Sequence, residues 1–173
     1  VFVKSRATTR RYLGSFRTTS VSSTADSVSR RLLWNYYHRL PRRLVATEPT
    51  DSWSYTTGTF RSANANTTLG QTRVEILLGE DDVEVEAMVH AGYFNSATTF
   101  AKVGIGLSST SVNSANVFGN GQTAETCVYR GTPGLGYYYL QWLEFGVSGA
   151  TWYGDNGATS NTVQSGLIGR VWA

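Results

Sequence analysis

The stretch PGLGYYYLQWLEFGVSGATWYGD, residues 133–155, decides the fold of this chain. Side chains of a β-strand alternate between two faces. Alternation separates two sets of residues in this stretch: Tyr137, Tyr139, Gln141, Leu143 and Phe145 against Tyr138, Leu140, Trp142 and Glu144. Both sets are bulky and mostly apolar, so neither face is expected to lie in water. The stretch therefore predicts a central strand, or a strand whose second face is covered by another subunit.

The composition is that of an all-β protein. The chain has 173 residues, which is enough for one domain with a sizeable core. Its 18 Gly, 3 Pro and 13% aromatic residues suit strands joined by tight turns. Charged residues make up 16% of the chain, against roughly 25% in an average globular domain. A surface rich in hydroxyls and amides is therefore expected, as on an extracellular or virion protein or one buried in an assembly.

Alternating segments recur along the whole chain and predict about nine or ten strands. The segments are residues 12–19, 30–40, 51–61, 72–78, 83–94, 101–107, 123–129, 137–147, 150–153 and 165–172. A spacing of roughly 8 to 12 residues per strand and turn is typical of an antiparallel β-sandwich or jelly roll. We therefore predict a single all-β jelly-roll domain over residues 12–173, preceded by an N-terminal arm or linker over residues 1–11.

Some segments carry more specific expectations. Residues 72–78 and 83–94, joined by a Gly and acidic turn, predict the clearest hairpin in the chain. Residues 51–61 predict one half-buried strand. Residues 30–40 fit a helix or a strand, and their aromatic content favours a strand that ends at Pro41.

Glycines and polar loops give two further expectations. Gly104 and Gly106 fall on one face of a predicted strand, which indicates close approach by another backbone or by a bulky ring. Polar loops at residues 64–68, 108–122 and 156–162 are expected to point outward.

Charge is distributed unevenly along the chain. Residues 1–45 hold ten basic residues and one acid, Asp26, whereas residues 75–86 hold six acids. Arginine outnumbers lysine, which favours fixed contacts at protein interfaces over diffuse attraction to phosphates. The net charge of +3 and the lack of a nucleic-acid motif argue against nucleic acid as a partner. We expect the basic segment to dock on an acidic neighbour in an assembly, with these residues as its anchors: Arg6, Arg10 and Arg11.

Residue types that carry chemistry are sparse. Cys127 is the only cysteine, which excludes an internal disulfide and a cysteine-based zinc site. His38 and His90 lack a metal-ligand spacing, so no metal site is predicted. The sequence contains no phosphate-binding loop or nucleophile–base order, so we predict no catalytic residue, no enzymatic activity and no cofactor. No apolar run approaches the ~18 residues that cross a membrane, so no membrane insertion is expected.

Acids and aromatics near strand ends raise the possibility of a sugar site. Glu144 and Asp155 resemble a glycosidase pair, but Asp155 also suits a turn and Glu144 is expected to pair with an arginine across a subunit contact. The glycan-stacking candidates are Trp53, Tyr55, Trp152, Tyr153 and Asp155. The alternative is that these tryptophans belong to the core, as in most aromatic-rich sandwiches.

Five blocks of the chain, taken in order, resemble a domain that recurs in tailed-bacteriophage virion proteins of the fibre, spike or head-decoration type. The blocks are YLGSFRTT at residues 12–19, RLLWNYY at 31–37, DSWSYTT at 51–57, YYLQWLE at 138–144 and QSGLIG at 164–169. The resemblance implies a compact jelly roll, trimeric like other phage fibre heads and displayed on the particle. It supplies no catalytic residues, and residues 1–11 lie outside it.

Together these observations predict a structural component of a bacteriophage virion, located on the particle and assembled as a homotrimer. The expected subunit interface consists of Tyr137, Tyr139, Leu143, Phe145, Trp34 and Tyr36. The outward loops are then expected to meet a host receptor or a host-surface glycan. The alternative prediction is a monomeric carbohydrate-binding module.

Overall fold

The computed structural model describes residues 11–95, 100–118, 120–121, 124–155 and 164–173. Within them the strands are β1 Gly14–Phe16, β2 Thr18–Ser20, β3 Ser23–Thr24, β4 Asp26–Ser27, β5 Arg30–Arg31, β6 Leu33–Asn35, β7 Pro41–Thr47, β8 Ser52–Ser54, β9 Phe60–Ser62, β10 Arg73–Leu78, β11 Val85–Asn95, β12 Ala101–Leu107, β13 Val117–Phe118, β14 Asn120–Gly121, β15 Ala124–Gly131, β16 Gly136–Phe145, β17 Ala150–Tyr153 and β18 Gly166–Trp172. One 3-10 turn, Ala63–Ala65, follows β9, and no α-helix occurs in the described ranges.

Two sheets, each of seven strands in the described residues, form the body of the domain. The first has the order β14-β12-β16-β10-β5-β4, and β9 also pairs with β16. The second has the order β13-β15-β11-β17-β8, and β18 joins β11 to β7. Two short ribbons, β1-β6 and β2-β3, complete the set. The predicted all-β sandwich is confirmed, whereas the jelly-roll order of the strands stays a prediction.

The core lies between the two sheets and follows the two-residue period of their strands. Fully buried side chains come from alternate positions of the central strands: Val74, Ile76 and Leu78 of β10, Val85, Ala87, Val89 and Ala91 of β11, Ala101, Val103 and Ile105 of β12, and Leu140 and Trp142 of β16. Burial of each large apolar side chain contributes about 1.5–3 kcal/mol. The alternation predicted from the sequence therefore places the core correctly.

The aromatic strand β16 is central, as its sequence predicts. It pairs antiparallel with β10 along one edge and with β12 and β9 along the other. Part of its second face is also covered within the chain, because Gln141 and Leu143 are fully buried there. On the neighbouring strand β12, a Cβ on Gly106 would collide with the Ser109 carbonyl oxygen. A Cβ on Gly104 would lie only 3.0 Å from the Phe60 ring. Both kinds of close approach expected at these glycines, backbone and ring, are confirmed.

The hairpin predicted from residues 72–78 and 83–94 is wrong. β10 pairs with β16 in the first sheet, whereas β11 pairs with β15 in the second. The turn between them therefore carries the chain from one layer of the sandwich to the other. Two strands joined by a tight turn show the same alternation of apolar residues whether they pair in one sheet or lie in the two facing sheets. In both arrangements each strand buries one face on the same core.

Two other segments also differ from expectation. Residues 51–61 form two separate strands, β8 in the second sheet and β9 in the first, rather than one. Residues 30–40 contain strands β5 and β6, which confirms strand over helix. Pro41 begins β7 rather than ending the preceding strand. Proline is tolerated there because β7 is an edge strand and the proline is its first residue.

Ion pairs inside the chain satisfy much of the basic N-terminal quarter. Arg30 pairs with Glu75 at 2.7 Å and Arg39 with Glu80 at 2.6 Å, which joins the basic segment to the acidic one. Asp26 forms ion pairs with two further arginines, Arg31 and Arg42. For these arginines the expected acidic neighbour is therefore the chain itself, because the fold brings together charges that the sequence keeps apart. Of the anchoring candidates, Arg6 and Arg10 lie outside the described residues and Arg11 is exposed.

Candidate functional site

An aromatic cluster fixes the β1-β6 ribbon to the body of the domain. Trp34 is 2% exposed and stacks on Tyr12 with 5.9 Å between ring centroids, while Tyr36 meets it edge-on at 6.1 Å. The guanidinium of Arg39 lies 5.1 Å from the Trp34 ring. Gly79 leaves room for the indole, since a Cβ there would collide with it. The inner face of the ribbon is therefore tightly packed.

The outer face of the ribbon is apolar and open to solvent. Phe16 and Leu33 lie directly opposite each other in the β1-β6 register. The large exposed side chains on the ribbon and in the segments next to it are Leu13 at 69%, Phe16 at 62%, Leu33 at 41%, Tyr36 at 39%, Tyr37 at 60% and Leu40 at 47%. Leu13, Phe16 and Leu33 also line a shallow hollow of about 410 Å³. We call these six residues the ribbon patch; clustered exposed apolar side chains of this kind mark interaction surfaces.

A second surface, on the outer face of the first sheet, combines arginines with tyrosines. Arg17 lies over the Tyr137 ring at 3.4 Å from its centroid, and Arg73 lies over Tyr139 at 4.0 Å. Glu75 stands opposite Tyr139 in the register. Burial raises the pKa of Tyr137, and a hydrogen bond with Glu75 adds to the shift. A polar hollow of about 150 Å³ opens between Arg17, Arg30, Glu75, Tyr137, Thr18, Thr19 and Leu32.

Glu144 is a carboxylate buried at the end of the core. Its side chain has no exposed area, and it accepts hydrogen bonds from Trp53 Nε1 at 2.6 Å, Arg61 Nε at 2.8 Å and the Asn64 backbone N–H at 3.1 Å. Arg61 also packs on the Tyr55 ring at 3.7 Å. Burial raises the pKa of Glu144 to about 6, although these three donors act in the opposite direction. The arginine partner expected for Glu144 exists, but within the chain rather than across a subunit contact.

A hydrogen-bonded network extends from Glu144 to a second buried acid, Glu48. Asn64 Nδ2 donates to Thr50 Oγ1 at 3.0 Å, and Thr50 Oγ1 donates to Glu48 Oε1 at 2.7 Å. Asn66 Nδ2 donates to the other Glu48 oxygen at 2.9 Å. Asn64 adopts a positive φ of 54°, which is uncommon outside glycine. Both its backbone N–H and its side-chain amide take part in the network. The network binds the 3-10 turn to the sheet and acts as a structural clamp.

None of the five glycan-stacking candidates is fully exposed. Trp152 is fully buried and packs on Tyr93 at 4.9 Å, which corrects its assignment as a glycan residue. Trp53 is half-buried, and its indole meets Trp142 at 5.9 Å. Tyr55 is half-buried beneath Arg61. Tyr153 and Asp155 are half-buried too; Tyr153 pairs with Ser52 along β8, and Asp155 bridges to Gln164. The core alternative is therefore correct for Trp152, whereas a glycan role of the other four residues stays a prediction.

The predicted interface residues fall into two groups. Leu143 and Trp34 are fully covered within one chain, so their assignment to a subunit contact is corrected. Alternation predicts on which face of β16 Leu143 lies, but it does not predict whether that face is covered by the same chain or by another subunit. Four others retain some exposed surface: Tyr137, Tyr139, Phe145 and Tyr36. Of these four, Tyr36 belongs to the ribbon patch, while Tyr137 and Tyr139 lie under arginines.

Sequence analysis does not identify four residues that form the ribbon patch and the arginine–tyrosine surface. Phe16 and Leu33 face outward together, and Arg17 and Arg73 cover the tyrosines. Phe16 and Leu33 lie in two of the blocks that resemble phage virion domains. The alternation of a strand gives its two faces, but it does not show which face remains exposed to solvent. A surplus of arginine over lysine was the one available signal for stacked guanidiniums.

Groups that could support metal or thiol chemistry do not cluster in the described part of the chain. No set of three or more His, Cys, Asp or Glu residues there is placed to hold a metal ion. Burial raises the pKa of the Cys127 thiol to about 12, which keeps it protonated. In the same ranges no helix is long and apolar enough to cross a membrane.

Comparison with protein-family models, with curated protein sequences and with solved structures gives no match to this chain. The function must therefore be inferred from the surfaces described above.

Stability is expected to depend on pH through Glu144. Its pKa of about 6 in the fold exceeds the ordinary value of 4.5, so the folded state binds more protons between these values. The free energy of unfolding then falls as pH rises from about 4.5 to about 6, by about 2 kcal/mol from this residue. Urea titrations at pH 4.5 and pH 7 of the native chain and of Glu144→Gln check this. In Glu144→Gln the part of the decrease in unfolding free energy that comes from Glu144 should disappear. A pH dependence equal to that of the native chain would contradict the raised pKa of Glu144.

Proposed function

We propose that this chain is a structural component of a bacteriophage virion: a surface-displayed β-sandwich that assembles into a homotrimer through the ribbon patch. The observation that carries the proposal is the apolar outer face of the β1-β6 ribbon, exposed in the single chain. The ordered blocks that resemble phage virion domains support the same assignment. Two of those blocks, residues 12–19 and 31–37, contain the ribbon itself.

The ribbon has a physical reason to be covered. A two-stranded ribbon is only marginally stable in water unless a further layer packs on it. Here one layer is supplied by the chain, through Trp34, and the described residues provide no layer on the other side. In a trimer whose three-fold axis lies beside the patch, Phe16, Leu33 and Tyr37 of each copy would be buried against the neighbouring copies. Such a ring of three copies is a closed cyclic assembly without free interfaces.

The proposed interface differs from the one expected from the sequence. The expectation centred on the aromatic strand β16, whose second face is in fact largely covered by its own chain. Tyr36 is the only residue common to both proposals. The shift moves the contact toward residue 11, next to the arm through which attachment to other virion proteins is proposed.

The test is the solution mass of the full chain by light scattering, in the native form and in the Phe16→Asp and Leu33→Asp variants. The native chain should have about three times the 18.9 kDa chain mass. Either variant should dissociate it to monomers, because each places charge at the centre of an apolar contact. Val112→Asp is the matched control, since Val112 is 63% exposed on another loop and its variant should keep the native mass.

Two results would overturn the proposal. A native chain that is monomeric at tens of micromolar would remove the trimer, and the alternative of a monomeric carbohydrate-binding module would take its place. Trimers that survive both ribbon variants would move the interface elsewhere. Circular dichroism of each variant confirms that a change in mass is not a loss of fold.

A further inference from the structure

The arginine–tyrosine face of the first sheet contains two cations held in place without a carboxylate partner. Arg17 and Arg73 each lie over a tyrosine ring, at 3.4 and 4.0 Å from the centroids. No carboxylate within the described residues lies at ion-pair distance from either guanidinium. A guanidinium carries five N–H donors in a fixed fork. Arg73 uses one of them on Gln141 Oε1 at 2.9 Å, so most donors of this pair remain available.

Ring stacking makes these cations suitable for an anion. A guanidinium held on a ring has already lost much of its rotational freedom, so less is lost when a ligand binds. Tyr137 and Tyr139 are two residues apart on one strand face, which separates them by about 7 Å. Two anionic groups spaced by a similar length could therefore be held at once.

The neighbouring groups narrow the chemistry of the ligand. Arg30 is paired with Glu75 at 2.7 Å, so the cluster holds three cations and one carboxylate. The hollow beside Arg17 is also lined by Thr18 and Thr19. Glu75 and the two hydroxyls can accept hydrogen bonds from a ligand that carries its own donors. A phosphodiester group has no such donors, whereas an acidic sugar offers carboxylates to the arginines and hydroxyls to Glu75.

We propose that this face binds an acidic polysaccharide. Carboxylates of successive acidic sugars are held by Arg17 and Arg73 through charge-assisted hydrogen bonds. Sugar hydroxyls are held by Glu75, Thr18 and Thr19. The hollow of about 150 Å³ admits part of one sugar unit rather than a whole oligosaccharide, so the rest of the chain lies along the open sheet. The binding does not depend on the trimer, because one copy supplies all five residues.

The test is isothermal titration of the full chain with polygalacturonate, an uncharged dextran and a single-stranded oligonucleotide. Polygalacturonate should bind, with affinity that falls as salt is added, and dextran should not. Arg17→Gln and Arg73→Gln should each weaken polygalacturonate binding about tenfold, the effect of one lost charge-assisted contact. Arg43→Gln is the matched control, because Arg43 is an exposed arginine on β7 of the second sheet and its loss removes the same charge.

Several outcomes would overturn the proposal. Polysialic acid is titrated as a second acidic polysaccharide. Failure of both polygalacturonate and polysialic acid to bind at millimolar sugar would exclude an acidic polysaccharide as the ligand. If Arg43→Gln weakened polygalacturonate binding as much as Arg17→Gln and Arg73→Gln, the binding would depend on net charge and not on this face. Tighter binding of the oligonucleotide, with the same dependence on Arg17 and Arg73, would assign the face to nucleic acid. Light scattering of Arg73→Gln separates this result from the assembly proposal, since that variant should retain the native mass.

Discussion

Arg61→Met is expected to lower the free energy of unfolding by about 3–5 kcal/mol at pH 7.5. The Arg61 guanidinium donates from Nε to Glu144 Oε1 at 2.8 Å, its Nη2 lies 2.8 Å from the same oxygen, and the Glu144 side chain has no exposed area. Without Arg61 the carboxylate keeps its desolvation cost and loses the one cation that pairs with it in the described part of the chain. Removal of one partner from a buried pair is therefore far more damaging than removal of an exposed one.

The matched control for Arg61→Met is Arg170→Met. Arg170 pairs with Glu86 at the same distance of 2.8 Å, but its side chain is 53% exposed. An exposed pair contributes at most about 1 kcal/mol. Chemical denaturation of both variants gives the comparison, and equal losses would show that Glu144 is not buried as the structure has it.

The pH dependence of the Arg61→Met effect provides a second check. Arg61 lowers the pKa of Glu144, so its removal raises that pKa further above 6. At pH 5 Glu144 is then protonated in the folded variant, and a neutral acid needs no cation. The destabilisation should therefore be clearly smaller at pH 5 than at pH 7.5. A loss that is constant across this range would mean that packing of Arg61 on Tyr55, rather than charge, is responsible.

The sequence predicts the layers of this fold better than the connections between them. Leu140 and Trp142 were placed on one face by alternation alone, and both are buried. Alternation depends on local geometry, so it is visible in ten residues. The assignment of β10 and β11 to different sheets depends on which distant strand pairs with each. That information is not contained in the turn between them.

The candidate surfaces were less predictable for the same reason. Arg17 and Tyr137 are 120 positions apart in the numbering, and no local pattern relates them. The charge imbalance between residues 1–45 and 75–86 did indicate that the two segments need partners. It could not show that Arg30 and Glu75 are partners of each other. Sequence patterns identify which groups require a partner, and the fold determines which of them find one inside the chain.

Charge pairing also explains which arginines remain for function. Four arginines of the N-terminal quarter, namely Arg30, Arg31, Arg39 and Arg42, are held by acids of the same chain. Arg17 is held by a ring instead, which fixes its position without neutralising its charge. A fixed cation without a carboxylate is a poor contributor to stability but a good ligand for an external anion. The distinction between these two kinds of arginine is what separates the structural pairs from the proposed glycan face.

Leu143→Asp is expected to abolish folding, a larger effect than dissociation of a subunit contact would produce. Leu143 is fully buried in the single chain and lies opposite Gly104 and Ser62 on neighbouring strands. Neither neighbour offers a cation, so an aspartate there would be buried without a partner. The cost of about 5 kcal/mol or more is comparable to the whole stability of many domains. Circular dichroism and the elution volume of the purified chain measure the outcome.

Two companion variants make the Leu143 result decisive. Leu143→Ala leaves an apolar side chain and should keep the fold and the native mass, with about 2–5 kcal/mol lost to the cavity. Val112→Asp adds the same charge at a position that is 63% exposed, and should change stability by less than about 0.5 kcal/mol. A folded, monomeric Leu143→Asp chain would show instead that the second face of β16 meets another subunit. In that case the aromatic strand, and not the β1-β6 ribbon, would form the axis of the assembly.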